Sequence, residues 1–242
     1  MPTPLGKTLL IANPAAQNGN GAAATERAAA LLGDALGDGS LDVAPTRGPG
    51  EAVCLAAGAG AYETVLALGG DGIIHEAANG LMQLPAGERP AFGIVPVGSG
   101  NDYARTLGMS ARSVDAAVAQ LLAACARPVD VGRCNGEFFV ETLSFGVDAA
   151  IALDTVERRA RTGRTGTALY LASGMDQLLH HLDCHRYTAS FDGGEPVRGA
   201  SFTFAVQVGP TYGGGFRICP DARIDDGLLD KDYYAAVDDY NK

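Results

Sequence analysis

Leu68-Gly69-Gly70-Asp71-Gly72-Ile73-Ile74-His75-Glu76, continuing into Ala77-Ala78-Asn79-Gly80-Leu81-Met82, is the most specific stretch of this chain. An apolar β-type run, Thr64–Leu68, leads into it, and a helical pattern from Ile74 to Met82 follows. A simple turn needs one glycine. Two glycines before an aspartate and one after it let the backbone approach an anion closely and adopt positive φ. The Asp71 carboxylate can then orient a ribose hydroxyl, an amide or a hydrated metal. An aspartate set among glycines at a strand end gains little stability to offset its desolvation, so the stretch reads as a binding turn.

The same strand, glycine turn, helix grammar recurs on either side. After Thr8–Ala12 comes Asn13-Pro14-Ala15-Ala16-Gln17-Asn18-Gly19-Asn20-Gly21, whose amides can face an anion, although such residues punctuate any strand-to-helix turn. After Ala91–Val97 comes Gly98-Ser99-Gly100-Asn101-Asp102-Tyr103-Ala104-Arg105. The Ser99 hydroxyl and the Gly98 to Asn101 amides suit phosphate oxygens, and Asp102 suits Mg²⁺, with Arg105 one helical turn from Asn101. Asn101 or Asp102 fits an ordinary helix cap as well. With a strand at Leu41–Ala44 and helices near Ala22–Leu36, Glu51–Ala59 and Ser113–Ala126, the alternation predicts a mostly parallel sheet. Such sheets bind ligands at the carboxyl ends of their strands, where these turns lie.

From Pro128 the pattern changes to polar and apolar alternation at Glu137–Phe145, His185–Asp192 and Ala200–Val208, which predicts antiparallel sheet. The expected division is therefore an α/β domain over 1–127 and a β-rich domain over 128–242. One helical insertion is expected at Gly166–His181. Its apolar face, Leu169, Leu171, Met175, Leu178 and Leu179, fits either core packing or the lining of a lipid cleft. Arg158, Arg159, Arg161 and Arg164 form a basic cluster, which fits a solvated helix end or a site for an anionic lipid head group. His181, Cys184 and His185 share a spacing that zinc could use but lack a fourth ligand. Further on, Gly213-Gly214-Gly215 leads to Arg223-Ile224-Asp225-Asp226-Gly227-Leu228-Leu229-Asp230. Its paired carboxylates suit a hard cation, and equally a solvated acidic turn.

Composition narrows the function classes. Among 242 residues, 47% are hydrophobic and 19% charged, enough for one large or two modest cores. Eighteen basic against 28 acidic residues give a net charge of −10, which repels a polyphosphate backbone and argues against a nucleic-acid partner. Cys54, Cys125, Cys134, Cys184 and Cys219 are odd in number and scattered, which predicts buried reduced thiols. Met1–Leu10 is too weakly apolar for a signal peptide, and no membrane-length apolar run occurs, so the expected location is the cytoplasm.

The Gly69–Gly72 run with Asn79-Gly80-Leu81, the Pro96–Arg105 run and the Gly213–Asp230 run, in this order, resemble the bacterial diacylglycerol-kinase and lipid-kinase family. Its catalytic domain is shared with sphingosine and ceramide kinases, and the likeness extends from Leu9 to Asp230. The resemblance implies an α/β domain followed by an antiparallel β-sandwich, an arrangement similar to NAD kinases, with ATP in the cleft between them. It implies nucleotide contacts at Asn13, Thr46, Gly69, Gly70, Asp71, Gly72, Ile73, Ile74, His75 and Ser99. It also implies a structural Mg²⁺ at Asp226 with the main-chain carbonyls of Arg223 and Leu228, and a link from Asp102 to a catalytic Mg²⁺.

The implied reaction is transfer of the ATP γ-phosphoryl group to a lipid hydroxyl at a membrane surface, with a diacylglycerol-type acceptor. Asp71 and Asp102 would support it. Ile73 stands where the family often has Thr. The family's proton-accepting Asp falls beyond Lys242, so the sandwich is expected to be incomplete, with unpaired strand edges that favour a homodimer. The alternative expectations are a nucleotide-binding relative without transfer activity and, less favoured, an NAD-kinase-like activity.

Overall fold

The computed structural model describes residues 5–164, 167–181 and 183–235. The expected helix start at Gly166 and domain ends at 1 and 242 lie outside them. The first half alternates β1 (Thr8–Ala12), α1 (Asn20–Leu36), β2 (Leu41–Pro45), α2 (Glu51–Ala57), β3 (Thr64–Gly69), α3 (Asp71–Leu81) and β4 (Ala91–Pro96). The short α4 (Asp102–Thr106) and then α5 (Val114–Ala123) follow. The four strands are parallel, in the order β2-β1-β3-β4.

Strands buried on both faces need apolar residues throughout, and β1 and β3 have no exposed position. Leu9 and Ile11 of β1 pack with Val65, Ala67 and Ile94 against α2 and α3, while Leu10 and Ala12 pack with Leu66, Leu68 and Val95 against α1 and α5. β2 is the half-exposed edge. Strand order reverses between β1 and β3, which makes their carboxyl ends the switch point where such sheets open a crevice. The turns at Asn13 and Gly69–Asp71 begin there.

The second half is antiparallel: β5 (Gly132–Cys134) pairs with β6 (Glu137–Phe139), and β7 (Thr142–Gly146) leads into α6 (Val147–Thr162) and α7 (Thr167–His180). Then come β8 (His185–Ala189), β9 (Val197–Gln207), β10 (Thr211–Tyr212), β11 (Phe216–Arg217) and β12 (Asp230–Ala235). β9 is central, flanked by β7, β8 and β12.

Four expectations need correction. The single strand at Glu137–Phe145 breaks at Val140–Glu141, and its two pieces join different sheets. Two helices stand where one was expected, because α6 buries only Val147, Asp148, Ile151 and Thr155 and carries too weak an apolar stripe to be seen. The apolar row of α7 does not form core: Leu169 is buried, but Leu171, Met175, Leu178 and Leu179 are exposed. The thiols are free but not buried, with Cys54, Cys125 and Cys184 exposed.

Candidate active site

The three glycine turns meet. The Val97 amide donates to the Gly69 carbonyl (2.7 Å) and the Asn13 amide to the Leu68 carbonyl (2.9 Å), joining the strand ends. Gln17 Nε2 donates to the Gly98 carbonyl (2.9 Å), bridging the first turn to the third. Gly70 and Gly98 then touch backbone to backbone, since a Cβ on Gly98 would stand 2.4 Å from the Gly70 Cα. Glycine is required there by space.

Asp71 organises the third turn from below. Its Oδ2 accepts the Asn101 amide (2.9 Å) and its Oδ1 the Asp102 amide (3.0 Å). The Asn101 amide, expected to hold phosphate, is thus directed at a carboxylate together with that of Asp102; Asn101 enters α4 with φ 53° and no side-chain cap bond. Asp102 is buried, accepting from Arg105 Nη1 (2.7 Å) and from the Gly214 amide of the second half (2.8 Å). Desolvation, with the Asp102 charge beside it, raises the Asp71 pKa from its ordinary value, despite the two amides that favour its ionised form.

These turns floor a cavity of about 520 Å³ whose opposite wall comes from the second half. Asn13, Gly70–Ile73, Ser99 and Asp102 line one side; Thr155, Val156 and Arg159 of α6, Tyr170 of α7, and Gly213–Gly214 line the other. α3 begins at Asp71, so the orphan amides of its first turn open here. Arg159 is the one cation among the lining residues.

Not every expected contact faces this space. Ile74 is buried in the core beneath α3. His75 turns away to pair with Glu137 (2.9 Å). Gly69 lies one residue behind the lining, at φ 153°. Thr46 stands at the end of β2 with its hydroxyl on the Ala12 carbonyl (3.2 Å), beside the cavity but outside its lining. Asp226 is exposed and shapes a turn: its Oδ1 accepts the Leu228 amide (3.1 Å), and Asp130 takes the Gly227 amide (2.9 Å). Arg223 pairs with Asp225 nearby. Among the described residues no three His, Cys, Asp or Glu side chains converge to hold a metal ion, the His181, Cys184 and His185 group included.

A smaller recess of about 290 Å³ adjoins the cavity, sharing Asp71, Asp102, Tyr170 and Gly213 as walls. Glu141 and Asp148 line its far side. Glu141 Oε1 accepts from the Thr106 hydroxyl (2.7 Å), while its Oε2 is buried without a hydrogen-bond partner. Burial, with Asp102 and then Asp71 adding, pushes the Glu141 pKa up to about 7. Desolvation likewise drives the Tyr170 phenol up to about 12, helped by Asp148 and Asp102. Sequence reasoning missed Glu141, Gln17 and Tyr170, and placed Arg159 in a surface cluster. Only Arg159 had a visible signal.

A parallel sheet with glycine turns at its switch point, closed by a helix from an antiparallel partner, defines a class of α/β folds with a ligand crevice at the strand ends. Residues 7–134 match the family model of the diacylglycerol kinase catalytic domain, and residues 141–236 match that of the YegS C-terminal NAD kinase beta sandwich-like domain. The chain belongs to the diacylglycerol kinase catalytic-domain family.

Particular relatives agree. The chain is 32% identical over 169 residues to the diacylglycerol kinase of Bacillus subtilis (strain 168), covering 70% of this chain and 54% of that protein. It is 36% identical over 177 residues to a Pseudomonas aeruginosa protein described as "Probable lipid kinase YegS-like", covering 73% and 55% respectively. A crystal structure of a diacylglycerol kinase from Bacillus anthracis str. Sterne superimposes with a TM-score of 0.78 at 26% identity, covering 96% of this chain and 75% of that one. The chain spans about half the length of the curated relatives it matches.

Proposed function

We propose that the cleft binds ATP and that the protein transfers its γ-phosphoryl group to a lipid hydroxyl, with a diacylglycerol-type acceptor. The observation that supports this most is the single cavity shared by three glycine turns, the α3 N-terminus and Arg159. Its volume suits a nucleotide. In an acidic chain, a triphosphate is held where helix amides and one guanidinium face it and where no side chain prevents backbone approach.

Ser99 and the amides of Gly70 to Ile73 are assigned to the phosphates, and Asn13 to the nucleotide's first contact beyond β1. Asp71 holds the third turn in shape through the Asn101 and Asp102 amides. Asp102 couples that turn to the second half through Gly214. Mg²⁺ entering with ATP would meet the Asp71 and Asp102 carboxylates at the cavity edge, where their oxygens accept three amides and Arg105, and would supply charge neutralisation. In the transfer, the acceptor oxygen bonds to the γ-phosphorus as the bridging bond to ADP breaks, and the hydroxyl proton passes to a carboxylate. The recess beyond Asp71 and Asp102 gives an acceptor hydroxyl a place beside the cavity.

The test is ATP binding by calorimetry alongside ATP-dependent phosphorylation of short-chain diacylglycerol in mixed micelles. Arg159→Ala should weaken ATP about tenfold or more, the value of a charge-assisted phosphate contact. Wild-type protein that binds ATP but phosphorylates no lipid would reduce the reading to a nucleotide-binding module; protein that binds no ATP would end it.

A further inference from the structure

The first glycine turn holds its backbone in an unusual way. Gln17 and Asn18 stand at φ 47° and 58°, ahead of Gly19 at φ 98°. Glycine takes this left-handed region freely and asparagine often, but a glutamine there is strained. Strain of this kind persists only where surrounding contacts hold it, and it gathers at functional sites. Gln17 is exposed, so core packing does not hold it. It lines the nucleotide cavity together with Ala15, Ala16 and Asn18.

What the conformation achieves is one bond between turns, from Gln17 Nε2 to the Gly98 carbonyl (2.9 Å). Among the described residues, the other hydrogen bonds of residues 14–19 stay inside that segment, reach Asn13 or enter α1. Without the glutamine the first turn has no hydrogen bond to the third. The Gly98 carbonyl is also a junction, because Asn101, left-handed at φ 53°, sends its Nδ2 to the same oxygen (2.8 Å). The carbonyl and the N–H of one trans peptide point opposite ways, so gripping the Gly98 oxygen fixes the direction of the Ser99 amide. Among the described residues the Ser99 and Gly100 amides donate to no protein acceptor, whereas those of Asn101 and Asp102 are held by Asp71. The donors that the third turn keeps for an anion therefore hang on the peptide that Gln17 grips.

We propose that Gln17 is a positioning residue, a strained link that locks the first turn to the third and fixes the Gly98–Ser99 peptide for a bound triphosphate. The role rests on the nucleotide reading given above, while the link itself exists without nucleotide. Its strain is the reason stability and binding should respond to substitution in different directions.

Calorimetric ATP titration, thermal unfolding and amide exchange of the whole chain test this in wild type, Gln17→Gly and Gln17→Ala. Glycine removes the strain together with the bridge. Gln17→Gly should therefore unfold at or above the wild-type temperature yet bind ATP about threefold to tenfold more weakly, the value of one hydrogen bond. Alanine keeps the strained conformation without the bridge, so Gln17→Ala should bind as weakly and unfold below the glycine variant. Without ATP, exchange at the Asn101 and Asp102 amides should rise about threefold or more in both variants as the third turn loosens. Wild-type ATP affinity in both variants overturns the proposal and leaves the nucleotide reading intact. Weaker ATP binding with unchanged exchange also overturns it, making Gln17 a direct nucleotide contact. So does a glycine variant that unfolds below wild type, which would show Gln17 serving the fold. Wild-type protein that binds no ATP ends the nucleotide reading, and this role with it, whatever the exchange shows.

Discussion

Glu141 carries one oxygen on the Thr106 hydroxyl and one buried with no hydrogen-bond partner, a few steps from Asp71 and Asp102. Because burial raises its pKa from 4.5 to about 7, the folded protein holds a proton there that the unfolded chain releases. The associated stability is fully present below about pH 4.5 and is lost as pH rises through about 7. Glu141→Gln should remove that slope, leaving the variant roughly 3 kcal/mol more stable than wild type, relative to their difference at low pH, once above pH 7. Urea unfolding of both proteins across the range measures it, and parallel curves would show an ordinary carboxylate. Asp71 differs, because its oxygens hold two amides of a neighbouring turn. Asp71→Ala should cost about 1–3 kcal/mol in stability and at least tenfold in ATP affinity while the far-ultraviolet spectrum stays native. Unchanged ATP affinity would remove Asp71 from the site.

Between elements, Asn79 ties α3 to the second half. Its Nδ2 donates to the Phe138 carbonyl (2.8 Å) and its Oδ1 accepts the Phe138 amide (2.8 Å), so one side chain completes β6 as a strand neighbour would. This explains why the Asn79-Gly80-Leu81 segment accompanies the glycine turn: it fixes the opposite end of the helix whose N-terminus faces the cavity. Asn79→Ala leaves two half-buried backbone groups of Phe138 without this partner and should destabilise by about 1–3 kcal/mol. Amide exchange should then rise first in β5 and β6; a rise spread evenly over the molecule would show that the link is not local. The apolar row of α7 belongs to this scale too. Period-3.6 spacing identifies a helix with an apolar side, but the same spacing serves a core or an outer surface, and here Gly174 and Ser173, the small residues, took the packed side.

For the whole molecule, the cavity exists only because two halves face each other, with Asp102 to Gly214 and Asn79 to Phe138 crossing between them. A ligand touching both walls should stabilise the assembly: ATP at a hundredfold its dissociation constant should add about 2.7 kcal/mol to unfolding free energy. A thermal shift measured against ATP concentration checks this, and Arg159→Ala should move the response to higher ATP. Absence of any shift at high ATP concentration would show that ATP does not bind the folded protein. The sequence by itself determined the parallel sheet and its three turns, because apolar runs, glycines and helix caps act over a few residues and leave local marks. Tertiary structure alone decided that Asn101 and Asp102 serve Asp71, that Arg159 joins the cavity, that Glu141 loses its water and that the α7 row faces out. Each of those depends on which segment arrives opposite another across dozens of residues, and burial, pairing and charge environment are properties of that meeting.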